Sequence, residues 1–484
     1  MSTETGETAR PHPAATGVYL GAGATGPLRA PHEQAVLVLG PPRSGKTSSV
    51  VIPSVLSAPG AVVSTSTKPD VLAATARARR AGGPCLLYDP SGTVEAPAFV
   101  DRVRWSPVTG SLRWDDALVM ARSLVGATRP SPASGIAGTA GADHWTERAE
   151  ALLAPLLHAA ALQEEEFATV LSWVDRRSPG PALGALDAHG ADLAGDVLAG
   201  IVATEAREQS GIWSTASGVL AGFRTQAALD STRRPDLDPA AFCDSGATLY
   251  VCAAGRRQSL SAALVVGVLA DLRAAAYARA ARDEPDGERA PSVLFALDEV
   301  ANIAPIPDLP AMVSEGGGQG VLTLACLQDL SQARGRWGDA ADGFLSLFGT
   351  TVVFPGIGDV RTLEALSSLA GESEVPTRSV TVPAPSPAGL GRALAGRLLG
   401  WRGPGTGGAA SVTTSAVQRP RLPLEVAGGG KPGMALVVDE RNRMGWVRLT
   451  PWFATEPWRS AVAGLDRGTG LDRGTGPGPE LGRG

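Results

Sequence analysis

Residues 35–47 read Ala35-Val36-Leu37-Val38-Leu39-Gly40-Pro41-Pro42-Arg43-Ser44-Gly45-Lys46-Thr47. Five apolar residues in an unbroken run mark a strand buried on both faces, as in the middle of a parallel sheet. The eight that follow obey the pattern GxxxxGK[ST], a turn between strand and helix whose backbone N–H groups converge on an anion. In such a loop Gly40, Pro41, Pro42, Arg43, Ser44 and Gly45 wrap phosphates, the Lys46 ammonium neutralises the outer two, and the Thr47 hydroxyl is a ligand for Mg²⁺. Only three of the 43 cationic side chains are lysine (46, 68 and 431), which makes a chance lysine at this position uncommon. ATP and Mg²⁺ are the expected cofactors.

Outward from this strand the pattern repeats. Ala61-Val62-Val63-Ser64 comes one helix length later, and Pro84-Cys85-Leu86-Leu87-Tyr88-Asp89 follows a helix ending in Arg79-Arg80-Ala81-Gly82-Gly83. Strand, helix, strand, helix, strand implies a parallel sheet with right-handed crossovers. From about Leu112 to Arg234 the periodicity is helical. Asp143 is placed to cap a helix from His144 to about Gln163 kinked at Pro155, with further helices over Phe167–Val174, Asp187–Thr204 and Ile212–Thr225. Strand signals resume at Thr248–Cys252, Val293–Leu297, Val321–Leu327 and Thr350–Phe354, with a helix over Leu260–Ala280 and a late hairpin from Met434–Val438 and Met444–Leu449. The fold class is α/β, a mostly parallel sheet carrying an all-α insertion. The expected organisation is a flexible leader (1–30), a first ATPase part (31–111), the helical insertion (112–235), a second ATPase part (236–460) with a flexible insertion near 380–420, and a disordered Gly-rich tail (461–484). In that tail Leu465–Gly470 is repeated at once as Leu471–Gly476.

Two later strands end in polar residues suited to the phosphate loop. Leu294-Phe295-Ala296-Leu297 runs into Asp298-Glu299. In phosphate-loop ATPases the first acid orients the Mg²⁺ shell and the second polarises the attacking water; the alternative is a plain helix cap. Val321–Leu327 runs into Gln328-Asp329, and a polar tip beside the acidic strand suits a sensor of the γ-phosphate, with strand-end capping as the alternative.

Composition narrows the classes. At 484 residues with 44% hydrophobic content the chain is long enough for two or three domains around a substantial core. A formal net charge of −5 argues against a simple basic nucleic-acid binder, although a DNA motor needs only a locally basic channel. Cys85, Cys243, Cys252 and Cys326 show no CxxC pair and read as buried thiols, and the five histidines lack metal-ligand spacing. The start has no apolar signal region and no apolar run reaches 18 residues, so the expectation is a cytoplasmic chain that does not span a membrane.

The set of motifs resembles the TraG/TraD type IV coupling proteins. The similar stretches are Gly40–Thr47, Ser66-Thr67-Lys68-Pro69-Asp70, Tyr88-Asp89-Pro90-Ser91-Gly92, Trp105-Ser106-Pro107, His144-Trp145, Leu297-Asp298-Glu299, Leu327-Gln328-Asp329-Leu330 and Pro451-Trp452-Phe453, spread over roughly residues 35–455. The resemblance implies a RecA-like motor with an all-helical insert, a DNA-stimulated hexameric ATPase at a secretion channel, binding single-stranded or plasmid DNA in a sequence-tolerant way, with a relaxase or channel proteins as partners. Lys46, Thr47, Asp298, Glu299 and Gln328 keep the roles above. Two departures stand out. Family members usually carry N-terminal transmembrane helices, so peripheral docking at the inner membrane face is left open. The family also tends to place a trans-acting arginine before the sensor strand, where this chain reads Glu315-Gly316-Gly317-Gly318-Gln319-Gly320. Another arginine must then supply the charge, or the enzyme is intrinsically slow; Arg361, just past the next strand, is the candidate ahead of Arg334 and Arg336, with a plain helix-surface arginine as the alternative.

Other features carry less. Lys68 lies beyond a strand on the ligand-binding edge. Arg256-Arg257 also follow a strand, and Arg77, Arg79 and Arg80 end a helix. Leu390, Leu394, Leu398 and Trp401 share one helical face, either a membrane or partner surface or a short helix in the insertion. The rival readings are a FtsK- or HerA-type translocase and a slow nucleotide-dependent docking factor.

Overall fold

The structure, a computed structural model, describes residues 17–23, 26–128, 140–253, 258–282, 290–381, 411–431 and 433–463. Its strands are β1 (Tyr19–Gly23), β2 (Gly26–Arg29), β3 (Val36–Leu39), β4 (Val62–Ser66), β5 (Cys85–Tyr88), β6 (Asp101–Arg102), β7 (Thr248–Cys252), β8 (Val293–Leu297), β9 (Val321–Leu327), β10 (Thr350–Val353), β11 (Glu372–Thr381), β12 (Ser411–Pro420), β13 (Met434–Val438) and β14 (Met444–Arg448). All but β11 and β12 join one sheet in the order β2-β1-β14-β13-β10-β3-β9-β8-β4-β7-β5-β6. The run from β10 to β6 is parallel throughout, and β13, β14, β1 and β2 extend it antiparallel.

The central strands β3, β4, β7, β8 and β9 are buried at every residue, which is why they read as continuous apolar runs. Alternate residues feed two cores, one on each face. Leu37, Leu39, Val63, Phe295, Leu297 and Leu327 join the core of the helical insertion and the helix Gln258–Ala280. Val36, Val38, Val62, Leu294, Ala296 and Cys326 pack with Val50, Val51 and Val55 of the helix that follows the phosphate loop, and with the helix Asp70–Arg79.

Between Trp114 and Cys243 the described chain forms helices, as expected from its periodicity. The helix predicted over Asp187–Thr204 is two, Gly180–Ala188 and Asp192–Val202. Gly190, at φ +64, ends the first: Ala191 N–H bonds to Leu186 O and Gly190 N–H to Asp187 O, a closure that needs the left-handed region glycine enters freely. Trp105 hands the chain from sheet to helices. Its indole is buried, and a Cβ on Gly267 would lie 2.4 Å from it, so the helix Gln258–Ala280 approaches closely only because residue 267 has no side chain. Trp105 Nε1 donates to Asp271 Oδ2 at 2.7 Å on the same helix.

Two boundaries differ from expectation. Residues 17–30, assigned to a flexible leader, contain β1 and β2. β1 covers the open edge of β14 with the register Ala22↔Arg448, and Tyr19 packs edge-on against Trp458 at 5.3 Å. Within the insertion expected near 380–420, Ser411–Pro420 pairs residue for residue with Glu372–Thr381 in a two-stranded ribbon. Residues 1–16 and 464–484, Arg256-Arg257 and the Leu390–Trp401 stripe lie outside the described residues.

Among the described residues one helix, Ser261–Ala280, is long and apolar enough to cross a membrane by length and composition. Its apolar side chains are used inside the fold, where 67% of the stretch is buried. The basic run on the helix Asp70–Arg79 is likewise taken up by packing. Arg79 donates to Gly60 O (2.7 Å), Gly246 O (3.1 Å) and Thr248 Oγ1 (2.8 Å), tying together the starts of β4 and β7, while Arg77 and Arg80 lie over Phe99.

Candidate active site

Parallel register brings the expected residues to one edge. Leu39 pairs with Leu327 and Val353, Leu297 with Ala325 and Thr65, so Gly40, Gln328, Phe354, Asp298 and Ser66 all leave the sheet on its carboxyl side, where open α/β sheets bind ligands.

The loop after β3 is tightly built. Arg43 and Gly45 both have positive φ, +66 and +98, and Ser44 N–H donates to Pro41 O at 3.2 Å, so the chain turns sharply here. A Cβ on Gly40 would sit 2.7 Å from both Phe354 Cβ and Ser44 Oγ, so only glycine lets the loop close against the strand next door. Ser44 Oγ is buried with no hydrogen-bond partner among the described residues. Lys46 Nζ donates to Gly40 O (2.5 Å) and Pro41 O (3.1 Å), which holds the ammonium inside the loop. Thr47–Val51 then winds as a π turn, with Ile52 N–H bonded to Thr47 O, before the helix Ile52–Ser57. Pro53 cannot supply the ordinary helical N–H, which favours this wider turn.

Asp298 is buried at the tip of β8, and Thr47 Oγ1 donates to its Oδ2 at 2.7 Å. Burial raises the carboxyl's pKa, and Glu299 adds to this; the Thr47 hydrogen bond and the Lys46 charge pull it back. Cys326, on the neighbouring strand, is buried beside it, and burial together with the Asp298 charge pushes its thiol well above the ordinary range. Glu299 sits in the left-handed region (φ 52, ψ 47), a strained conformation for a non-glycine residue. Its Oε2 accepts from Asn302 Nδ2 at 3.5 Å.

Gln328 ends β9. Its N–H donates to Gln332 Oε1 (2.9 Å), and Gln332 Nε2 donates to Asn302 Oδ1 (3.3 Å). Sequence reading missed Asn302 and Gln332. Their signal was an amide three residues after the second acid and another four after the sensor residue, each one helical turn from its partner.

Of the three arginines considered, Arg334 pairs with Asp359 at 2.7 Å and Arg336 donates to the carbonyls of Gly126 and Ala127. Arg361 is exposed at the start of the helix Val360–Ala370 and makes no hydrogen bond or ion pair among the described residues. The turn before it packs on the phosphate loop, since a Cβ on Gly356 would lie 3.1 Å from Pro41 Cγ. Lys68 is exposed beyond β4, on the same edge, and Lys431 lies over Trp446 at 5.2 Å.

A phosphate-wrapping loop joined to a buried acid of a parallel strand has relatives. The sequence model of the family described as "Type IV secretory system Conjugative DNA transfer" matches residues 3–386. The chain belongs to this conjugative DNA transfer family. Within it, the fold is that of the bacterial conjugative coupling protein TrwB. The trigonal TrwBdeltaN70 structure in complex with sulphate aligns at a TM-score of 0.63 with 16% identity, covering 86% of each chain. TrwB in complex with the ATP analogue ADPNP, and with ADP and Mg²⁺, align at 0.64 and 16% identity over 91% of this chain and 90% of theirs. No curated protein matches the sequence. The transfer-family chain is thus α/β and RecA-like, with its candidate site where the sheet edge places Lys46, Thr47, Asp298, Glu299 and Gln328 together.

Proposed function

We propose that this chain hydrolyses ATP to drive DNA through a type IV conjugative transfer system. The observation that carries the proposal is the 2.7 Å bond between Thr47 and Asp298, which joins the phosphate loop to the acidic strand across 251 residues of sequence. ADPNP, ADP and Mg²⁺ are named in the TrwB structures, and the residues here fit such ligands: an unpartnered buried Ser44 hydroxyl, a lysine held at the loop, and a hydroxyl–carboxylate pair.

In this reading Gly40–Thr47 cradle the triphosphate, Lys46 takes the β and γ phosphates, and Thr47 with Asp298 holds Mg²⁺. The ion, when bound, would supply positive charge against the triphosphate. Glu299 orients a water toward the γ-phosphorus and accepts its proton, and Gln328 hydrogen-bonds the γ-phosphate. Arg361 reaches a neighbouring subunit's nucleotide in a homo-hexameric ring, the role for which Arg334 and Arg336 are already committed elsewhere. Residues 112–235 form the helical insertion, and the motor works in the cytoplasm at the inner membrane face, with a relaxase or channel protein as partner.

A motor of this kind holds the phosphate backbone, so DNA binding is sequence-tolerant and weakens steeply between ~50 and ~200 mM salt. Filter binding with ATP present tests this. Retention of unrelated DNA sequences at low salt, lost at high salt, is expected; no retention at low salt would contradict it.

A further inference from the structure

Three amide groups in series connect the sensor strand to the second acid. Gln328 N–H donates to Gln332 Oε1, Gln332 Nε2 donates to Asn302 Oδ1, and Asn302 Nδ2 donates to Glu299 Oε2. Every bond points the same way. Each side-chain amide accepts at one end and donates at the other, so the dipoles add and the donor end meets the carboxylate.

Both ends of this chain are constrained. Glu299 is held in the left-handed backbone region, which aims its side chain back toward Asn302 one turn later. Gln332 lies on the helix Leu330–Trp337, whose position is fixed at three points. Asp329 Oδ1 caps its first turn by accepting from Ser331 and Gln332 N–H, Leu330 N–H donates to Thr362 Oγ1, and Arg334 pairs with Asp359. These supports fix the helix that carries Gln332, while the two bonds of Asn302, at 3.3 and 3.5 Å, are long and exposed. One oxygen of Glu299 is occupied by Asn302, while the other is left for the reaction.

We infer that Asn302 and Gln332 are positioning residues that set the Glu299 carboxylate according to where the tip of the sensor strand stands. The inference rests on the hydrolytic reading of the site given above. If Gln328 shifts on meeting a γ-phosphate, its N–H moves Gln332, which moves Asn302 and so rotates Glu299. The acid is then set for water only when the third phosphate is present. Asn302 is exposed on the single chain, so water competes for its bonds, and a subunit covering this edge would strengthen them.

The test is steady-state ATP hydrolysis and equilibrium ATP binding by the full chain in four variants: Asn302→Ala, Asn302→Asp, Gln332→Ala and the double Asn302→Ala/Gln332→Ala. Asn302→Asp keeps the shape, removes the donor and sets a like charge against Glu299, so it is read beside the uncharged Asn302→Ala. It guards against a variant that merely packs badly, and melting curves check each protein. Losing the Asn302 donor to the carboxylate, or the Gln332 amide that orients Asn302, is expected to lower kcat by ~10-fold. ATP affinity should stay within ~2-fold of wild type, because Lys46 and Thr47 are untouched. The double variant should be no slower than the worse single, since a broken relay cannot be broken twice. Wild-type kcat in Asn302→Asp, or costs that multiply in the double variant, would overturn the relay while leaving the hydrolytic reading intact. A wild-type protein that hydrolyses no ATP would remove both.

Discussion

Thr47 Oγ1 and Asp298 Oδ2 stand 2.7 Å apart, and the carboxylate of this pair is buried with its pKa raised, chiefly by burial. A charge kept in such a place costs stability unless something balances it, and in the proposed reading that is Mg²⁺. Asp298→Asn keeps an acceptor for Thr47 but removes the charge. Hydrolysis should fall by ~10²-fold or more and need more Mg²⁺, while the melting temperature without nucleotide should be no lower than wild type. Titrating Mg²⁺ in the ATPase assay, beside a melting curve, checks both halves. Full activity at low Mg²⁺ would remove Asp298 from the metal site.

Binding and hydrolysis should separate at Lys46 and Glu299. Lys46 is held at the loop proposed to cradle the triphosphate, so Lys46→Ala should lose ATP affinity. In the proposed reading Glu299 acts on water, so Glu299→Gln should bind ATP as tightly as wild type and stall, losing ~10²-fold or more in rate. Equilibrium binding of a fluorescent ATP analogue distinguishes them. Equal affinity in Lys46→Ala and wild type would contradict the assignment.

Burial of Asp271 beside Trp105 is expected to make stability depend on pH. Burial raises the Asp271 carboxyl from an ordinary value near 4 to about 7, against the pull of the Trp105 hydrogen bond. The folded state therefore holds a proton that the unfolded chain releases, so the contribution is complete below about pH 4 and is lost as pH rises toward 7. Asp271→Asn keeps an acceptor for the indole and never ionises. Its melting temperature should exceed that of wild type at pH 8, and the gap should close toward pH 4. A gap that does not change with pH would contradict the shift.

Arg361 should act across a subunit boundary. Arg361→Ala alone should lose ~10³-fold in hydrolysis. Mixed with Glu299→Gln protein it should regain part of it, because some interfaces then combine an intact Glu299 with an intact Arg361. Wild-type activity in Arg361→Ala alone would exclude it.

Much of the site was legible because its residues are locally encoded. The phosphate loop needs glycine at 40 and 45, and a strand buried on both faces shows as an apolar run before Lys46 and before Asp298. What set the rest was register. Asn302 and Gln332 meet because β8 and β9 are aligned so that Leu297 pairs with Ala325, a match between stretches no local pattern joins. β1 was missed for a related reason. Tyr19-Leu20-Gly21-Ala22-Gly23 has too little apolar alternation to announce a strand, and its pairing partner lies more than 400 residues away at Arg448. The break at Gly190 had a local signal, a glycine inside a helical pattern, outweighed by the apolar residues on both sides.

The most direct test of the central claim is the rate of phosphate release from ATP and Mg²⁺ by the full chain, with and without DNA. A DNA-moving ATPase should hydrolyse ATP and be accelerated several-fold by DNA of unrelated sequences, with Glu299→Gln silent under both conditions. Slow turnover that DNA leaves unchanged, or hydrolysis by Glu299→Gln at the wild-type rate, would contradict it.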